Sequence, residues 1–287
     1  MILNKLTINS RILLITAVKH STFIRSIDSD LGDQMKILND NKQYTKTLEL
    51  FDKHKENIEK YSNWIIIQAL KALKYDPYIL PALIQLYMQC GDVNQAEFLF
   101  NISSKKTVTI YGAMMKGYFE NNQANKAIHL FHEIKRPNEI IITILFNACA
   151  NLKTNEGLNL VKEVYKEMPK SFQSNPYLLT SLLDAFMKCG DVSNAELLFR
   201  KIPDKVLQMY GAMMEGYIEN SQANKAIDLF HKIKDPNDVI FILLFNSCAQ
   251  LGSDEGLNLA KKVSKTIPKS FYSNVRLLPS ILDALVK

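Results

Sequence analysis

The sequence predicts an all-α fold, a right-handed α-solenoid of stacked helix-turn-helix repeats, on three observations. The chain repeats itself at a shift of 99 residues, each repeated block divides into helical pairs with apolar stripes, and glycine and capping residues stand between the helices. The composition agrees, because the chain holds only 10 glycines and 9 prolines among abundant helix-forming residues. Helix is therefore expected throughout the array.

The internal repeat is unbroken over two long segments. NPYLLTSLLDAFMKCGDVSNAELLF at 175–199 matches DPYILPALIQLYMQCGDVNQAEFLF at 76–100, and YGAMMEGYIENSQANKAIDLFHKIK at 210–234 matches YGAMMKGYFENNQANKAIHLFHEIK at 111–135. A third copy begins at Asn274. Repetition of this kind indicates an array of similar structural units, not a single mixed core.

Each repeated block divides into three helical pairs. The expected units are 77–107, 108–138, 139–175, 176–206, 207–237 and 238–274. Upstream, 35–54 matches 115–134 at a shift of 80, so the array, expected over 30–287, begins with a unit at 30–58 and a shortened unit at 59–76. The last unit, 275–287, is incomplete.

Two apolar stripes in each unit predict a helical hairpin. One stripe falls at i, i+3, i+4 and i+7, and the partner helix carries a second stripe with the same spacing. The first stripe is Ile142, Leu145, Phe146 and Cys149; the second is Ala127, Leu130, Phe131 and Ile134. A hairpin this small cannot bury its stripe alone, so neighbouring hairpins are expected to stack into one continuous core.

Residues between the helices agree with these boundaries. Gly91 and Gly190 are suited to end a helix in the left-handed conformation, and Asp92 and Asp191 are suited to cap the helix that follows. Asn175 precedes a proline that fits a first helical turn.

Residues 1–27 form a basic leader. The segment contains four basic residues and no acid, with serine and threonine between them, and these properties are typical of a mitochondrial targeting segment; a disordered tail is the alternative. The net charge of +6 is concentrated there, so the remainder is nearly neutral. A nearly neutral body argues against a strong, non-specific polyanion binder. No segment is long and apolar enough to predict a membrane span.

The chain resembles the pentatricopeptide repeat (PPR) family, and specifically its arrays of alternating short and long motifs, without a catalytic C-terminal domain. LLDAFMKCGDVSNAELLF at 182–199 resembles the short motif, and so does MYGAMMEGYIENSQANKAIDLFHKI at 209–233. PNEIIITILFNACANLKTNEGLNL at 137–160 resembles the long motif. Tetratricopeptide repeats are the nearest alternative, but their 34-residue period is missing.

The resemblance implies binding of single-stranded RNA, with one nucleotide read by each repeat. The implied readers are a residue early in the first helix and the last residue of the motif. The base-reading candidates are Thr143, Asn175, Thr180, Asn138, Asn237 and Asn274, and the candidates for the RNA backbone are Lys188 and Lys287. Thr143 with Asn175 resembles the family's purine-reading pair, with adenine as the expected base. The asparagines also precede first helices, so helix capping is an alternative role.

Other reading positions carry no polar side chain, namely Pro81, Gly112, Gly211 and Ile242. Two functions therefore stay open. The first is a non-catalytic RNA-binding protein in organellar RNA processing, stability or translation, in the mitochondrion or otherwise the cytoplasm. The second is a protein-interaction scaffold that has lost RNA reading, with protein partners or a homodimer formed through open solenoid ends. An exposed apolar face of Ile281, Leu282 and Leu285 is expected at one such end.

No enzyme, cofactor or metal site is expected. The chain has four cysteines, and no two of them have the spacing of a metal site, so they are interpreted as core thiols. They are Cys90, Cys149, Cys189 and Cys248. Nucleophile elbows, phosphate-binding glycine loops and clustered carboxylates are missing from the sequence. Tyr111 and Tyr210 could stack on bases, but packing inside the repeat is the favoured interpretation.

Overall fold

The computed structural model describes residues 29–43, 46–47, 50, 79–103 and 105–286. All regular secondary structure in these ranges is helical. The targeting segment expected at 1–27, the shortened unit expected at 59–76 and Lys287 lie outside the described residues. No helix in the described ranges is long and apolar enough to cross a membrane.

The chain forms two compact units, Met1–Asn121 and Asn122–Lys287. The helices described in the first unit are α1 (Ser29–Asp40), α2 (Ile79–Gln89), α3 (Val93–Ile102) and α4 (Val108–Glu120). Helix α4 packs beside α2, and α3 packs against both. The α2–α3 hairpin and the helix that follows it thus form a two-layer arrangement.

The second unit contains α5 to α14. They are α5 (Ala124–Phe131), α6 (Glu139–Leu152), α7 (Asn155–Glu167), α8 (Pro176–Lys188), α9 (Val192–Lys201), α10 (Leu207–Glu219), α11 (Ala223–Phe230), α12 (Asp238–Leu251), α13 (Asp254–Ser264) and α14 (Leu277–Val286). Two 3₁₀ turns, Lys170–Ser174 and Lys269–Ser273, precede α8 and α14. The first helices α6, α8, α10, α12 and α14 are successive neighbours in one layer. Each second helix, α7, α9, α11 and α13, packs between its own first helix and the next one.

The predicted apolar stripes form the core of this stack. Phe146 and Phe245, which are equivalent at the shift of 99, are completely buried. Ile142 and Leu145 on α6 are also buried, as the spacing predicted. Burial of one such side chain contributes about 1.5–3 kcal/mol, so the repeated stripe is the main force that holds the hairpins together.

The predicted helix boundaries are confirmed at the turns. Gly91 has φ of 77° and Gly190 has φ of 81°, the left-handed conformation that glycine adopts without strain. The Asp92 carboxylate accepts a hydrogen bond from the Gln95 N–H at 3.2 Å, and Asp191 caps α9 in the same way. Each hairpin turn therefore ends one helix and starts the next with satisfied backbone groups.

A close helix contact recurs between neighbouring short units. A Cβ atom on Gly216 of α10 would lie 2.3 Å from Met187 Cβ of α8, so only glycine fits this approach. The Asn220 side-chain amide donates to the carbonyl oxygens of Met187 and Gly216, both at 2.8 Å. In the first unit, Asn121 donates to the Met88 carbonyl at 2.8 Å. A glycine followed four residues later by asparagine thus fixes the spacing of adjacent first helices.

One face of α14 is apolar and exposed. Leu278, Leu282 and Val286 are exposed. The expected face was Ile281, Leu282 and Leu285, and this prediction is wrong for Ile281, which is buried. Ile281 lies on the side of α14 that packs against α12 and α13. The exposed residues lie on the opposite side of the helix.

The cysteines are only partly core residues. Cys149 and Cys248 are buried, and burial raises their pKa values to about 12 and about 11. Cys189 is half-buried. The core interpretation is wrong for Cys90, which is exposed because it lies in the turn after α2. The described residues contain no group of three or more ligands suited to a metal ion.

Candidate functional site

A groove of about 950 Å³ runs along the first-helix layer of the second unit. Residues of α6, α8, α10, α12 and α14, and residues just before these helices, form its walls; no second helix contributes to them. Predicted reading residues that line it are Thr180, Asn237 and Asn274, together with the positions of Gly211 and Ile242. The groove therefore brings together predicted reading positions from three successive units.

Three other predicted readers, Asn138, Thr143 and Asn175, are not part of the groove wall. Asn138 precedes α6, Thr143 lies on α6, and Asn175 precedes α8. Thr143 and Asn175 belong to the unit 139–175, directly before the units that line the groove, and Asn138 is the last residue of the unit 108–138.

The threonine hydroxyls are turned onto their own helices. Thr180 Oγ1 donates to the Pro176 carbonyl at 2.7 Å, and Thr143 Oγ1 donates to the Glu139 carbonyl at 2.8 Å. A hydroxyl that donates in this way keeps lone pairs that can accept a hydrogen bond. Both threonines are therefore acceptors towards a ligand in this conformation.

The terminal asparagines are helix N-caps. The Asn138 and Asn237 side-chain oxygens each accept from a backbone N–H three residues later, at 3.0 Å. Asn175 caps α8, accepting from the Tyr177 N–H at 2.9 Å. The capping role proposed as an alternative is thus confirmed for these three residues. Since capping uses the oxygen, the amide N–H groups remain for other contacts, and base reading by them stays a prediction.

In the two longer units, the terminal asparagine also binds a carboxylate. The Asn175 amide donates to the Glu139 carboxylate, and the Asn274 amide donates to the Asp238 carboxylate at 2.6 Å. Thr143 bonds the backbone of the same Glu139. The predicted pair Thr143 and Asn175 therefore converges on one acidic residue, which engages one of the two amide N–H groups of Asn175.

Large apolar side chains lie exposed next to the capping asparagines. Ile140, Tyr177 and Val239 each stand two residues after a terminal asparagine and are exposed. Val239 lines the groove. Exposed apolar groups that repeat beside polar ones are suited to contact ligand rings. These residues were not predicted from the sequence, although their constant spacing from asparagine is a signal that could have revealed them.

The charges of the groove are mixed, with more acid than base. Asp184, Glu215 and Asp283 line it, against Lys188 and Arg276. The predicted backbone contact Lys188 forms an ion pair with Asp184 at 3.1 Å. A paired lysine contributes less to phosphate binding than a free one.

Neighbouring acidic residues strengthen the ion pair of Lys188 with Asp184. Burial raises the pKa of Asp184, although Lys188 opposes the rise. Burial lowers the pKa of Lys188, but Asp184, Glu215 and Glu219 outweigh it and the net direction is upward. Lys188 therefore stays protonated, with its charge largely neutralised by acidic neighbours. In the next unit, Glu219 occupies the place of Lys188 and pairs with Lys153 at 2.9 Å.

The tyrosines of the repeated YGAMM segment pack against phenylalanine. The Tyr111 and Phe100 ring centroids lie 5.4 Å apart, and those of Tyr210 and Phe199 lie 5.2 Å apart, all edge to face. Both tyrosines are half-buried. The interpretation as packing residues agrees with this geometry.

A family model described as the PPR repeat matches residues 109–138, 177–205 and 208–236. A mitochondrial pentatricopeptide repeat-containing protein of Arabidopsis thaliana is 31% identical over 205 residues, which cover 68% of this chain and 29% of the relative. The chain is a PPR protein. A chloroplastic pentatricopeptide repeat-containing protein of the same plant is 28% identical over 207 residues, covering 69% of this chain and 28% of the relative. The chain thus spans less than a third of the length of these relatives.

The PPR fold is also found among solved structures. The pentatricopeptide repeat protein PPR10, crystallised in complex with an 18-nt psaJ RNA element, superimposes with a TM-score of 0.56 at 16% identity, covering 94% of this chain and 44% of that one. The fold class predicted from the sequence, an all-α solenoid, is confirmed. Alternation of short and long PPR motifs stays a prediction; the 3₁₀ turns Lys170–Ser174 and Lys269–Ser273 lengthen the two units expected to be long.

Proposed function

We propose that this PPR protein binds single-stranded RNA along the first-helix groove of its second unit, without catalysing a reaction. The observation that carries the proposal is the groove itself, in which successive units each place a predicted reading position on the same layer of helices. RNA is a linear array of bases, so a linear array of equivalent side-chain positions matches it unit by unit.

The exposed apolar residues support this function. Single-stranded nucleic acids bind proteins largely by stacking of bases on apolar and aromatic side chains. Tyr177 and Val239 offer such surfaces in the units 176–206 and 238–274. The polar end of each base then meets the threonine or asparagine of the same unit. We also assign Thr143 with Asn175, in the unit directly before the groove wall, to a purine, with adenine as the expected base.

The remaining candidates have smaller roles. Asn138, Asn237 and Asn274 would donate their amide N–H groups, and Thr180 would accept. Lys188 and Lys287 are the proposed backbone contacts. The excess of acid in the groove favours an affinity that rests on stacking and hydrogen bonds more than on phosphate contacts.

Selection of RNA from a randomised single-stranded pool by the full chain at low salt tests the proposal. Enrichment of a short motif is expected. Val239→Glu in the groove should abolish it, because the carboxylate would repel the strand. Leu197→Glu is the matched control: Leu197 and Val239 are both 50% exposed, but Leu197 lies on the second helix α9. Absence of enrichment at low salt, where phosphate contacts are strongest, would reject RNA binding.

An organellar site of action is part of the proposal. Among its relatives are mitochondrial and chloroplastic proteins, and the basic leader at 1–27 favours the mitochondrion. The proposed role is RNA processing, stability or translation, by masking RNA or positioning other factors. Fusion of the full chain to a fluorescent reporter should direct it to mitochondria, and removal of 1–27 should return it to the cytoplasm.

A second candidate function is a scaffold for protein. The observations that favour it are the acidic groove residues Asp184, Glu215 and Asp283 and the apolar reading positions Gly211 and Ile242. Enrichment of basic peptides with no enrichment of RNA would favour the scaffold over the RNA-binding function.

A further inference from the structure

We propose that a ladder of acceptor oxygens in the groove binds the ribose 2′-hydroxyl groups of the strand and thereby selects RNA over DNA. We define the acceptor ladder as the groove residues that stand four positions after a predicted reading position or its repeat equivalent. They are Asn147, Asp184, Glu215, Asn246 and Asp283, one on each of the five first helices of the second unit. The inference deepens the proposed RNA-binding function and rests on it, because it names the part of the strand that these residues contact.

The acceptor ladder has the same chemistry in every unit. Each of its side chains carries an oxygen that accepts hydrogen bonds, and none is basic. The reading positions four residues earlier vary more, since Gly211 and Ile242 have no polar side-chain atom. All five ladder residues line the groove. A groove that offers an acceptor in each unit, whatever stands at the reading position, fits a ligand that offers a donor at each repeat of its own.

Three of the ladder side chains have polar groups that are open to a ligand. Within the described part of the chain, Asn147, Glu215 and Asn246 make no side-chain hydrogen bond or ion pair. Glu215 is exposed, and the two asparagines, which are equivalent at the shift of 99, are half-buried. The Asp184 carboxylate accepts from Lys188 and has lone pairs left for a second donor. The ladder can therefore accept hydrogen bonds from a bound strand in consecutive units.

The place of the ladder within the groove identifies the donor. Four residues advance a helix by about 6 Å, so residues at i, i+4 and i+8 lie near one face at three successive levels. On α8 these are Thr180, Asp184 and Lys188, and all three line the groove. Thr180 is a predicted base reader and Lys188 is the proposed contact of the RNA backbone. Asp184 therefore lies between the levels of the base and the phosphate, where a nucleotide has its ribose.

Base N–H groups fit the acceptor ladder less well than the ribose does. They lie on the base edges, which the reading positions would meet, and they differ among the four bases. The 2′-hydroxyl is present in every nucleotide of an RNA strand, whatever its base. A donor common to all nucleotides matches an acceptor common to all five units.

The acids of the groove gain a function from this contact. A carboxylate accepts from a hydroxyl more strongly than a neutral oxygen does, but it repels a phosphate. Glu215 and Asp184 therefore favour a strand that turns its sugars, and not its phosphates, towards them. DNA lacks the 2′-hydroxyl, so a DNA strand would leave these carboxylates without a donor.

The first test compares three strands with the motif that the full chain selects: RNA, DNA with the same bases, and 2′-O-methyl RNA, which cannot donate from the sugar. In fluorescence anisotropy at low salt, RNA should bind at least about tenfold more tightly than the other two. Glu215→Leu should weaken RNA binding by about tenfold without weakening DNA binding, whereas Glu215→Gln keeps an acceptor and should keep the preference for RNA. Glu163→Leu is the matched control, because Glu163 is also exposed but lies on the second helix α7, and it should change neither affinity.

The second test locates the contacts with RNAs that carry one 2′-deoxynucleotide, placed at each position in turn. At one position, the substitution should weaken binding to the full chain but have no further effect on Glu215→Leu, because that contact is already lost. Asn246→Leu should behave in the same way at the adjacent nucleotide, since Asn246 belongs to the next unit.

Two results overturn the inference and leave RNA binding intact. They are equal affinity of the full chain for RNA and DNA, and 2′-deoxy effects that are the same in both variants as in the unchanged protein. Absence of any selected RNA is a different result, which rejects the RNA-binding function and the ribose contact together.

Discussion

At the scale of single residues, the predicted purine site depends on Thr143 and Asn175, which converge on Glu139. Thr143→Val removes the hydroxyl and keeps the shape, and Asn175→Ser keeps a capping oxygen for α8 but removes the amide. Each change should alter the preferred base at one position of the selected RNA, by about 1–3 kcal/mol of discrimination if both hydrogen bonds contribute. Repeated selection with each variant measures this. The same base preference at every position in all three proteins would refute the assignment.

The ion pair of Lys188 with Asp184 leads to a second prediction. Asp184→Asn removes a half-buried acid from the groove and breaks the ion pair of Lys188. RNA affinity should rise, and the slope of log affinity against log salt should steepen by about 0.7 if Lys188 gains one phosphate contact. Filter binding across a salt series measures both. Asp228→Asn makes the same charge change on the exposed surface of the second helix α11 and should leave the slope unaltered.

At the scale of helices, two glycines of α10 should respond in opposite ways to alanine. Gly216→Ala places a Cβ atom 2.3 Å from Met187 Cβ, so α10 must move away from α8. A loss of about 1–3 kcal/mol in the free energy of unfolding is expected. Gly211→Ala meets Ile240 Cδ1 at 3.8 Å, an ordinary contact, and should be neutral or stabilising by up to about 1 kcal/mol, because alanine favours helix. Urea unfolding checks both, and equal losses would contradict the close-contact explanation.

These helices also show what could be predicted from the sequence. The stripe of Ile142, Leu145 and Phe146 was predictable, because burial follows directly from the helical period. The caps Asp92 and Asp191 were predictable from local chemistry. Such features depend on residues within one or two turns of each other.

The remaining features depend on neighbouring units, which periodicity does not describe. Cys90 is exposed because it lies in the turn after α2, and Ile281 is buried because α14 packs on α12 and α13. The pairing of Lys188 with Asp184 and of Asn175 with Glu139 requires the spatial arrangement of side chains. Half of the predicted readers, Thr180, Asn237 and Asn274, line the groove, whereas its charge and its exposed apolar residues were not predicted.

At the scale of the whole molecule, repetition makes stability local, because the main contacts of each described hairpin are with its neighbours along the chain. Phe146 on α6 and Phe245 on α12 are equivalent and completely buried, so they form a matched pair. Either change to alanine should cost about 3–5 kcal/mol. In Phe245→Ala, hydrogen exchange should accelerate most in α10, α12 and α14; in Phe146→Ala, it should accelerate most in α6 and α8.

A globular core would give a different result, since loss of one buried ring would accelerate exchange throughout the second unit. The two variants distinguish these cases because the same side chain is removed at two places in one array. If both profiles were the same, the nearest-neighbour description would be wrong. If they differ as expected, a change at one end of the groove leaves the other end folded, so single reading positions can be tested without loss of the whole site.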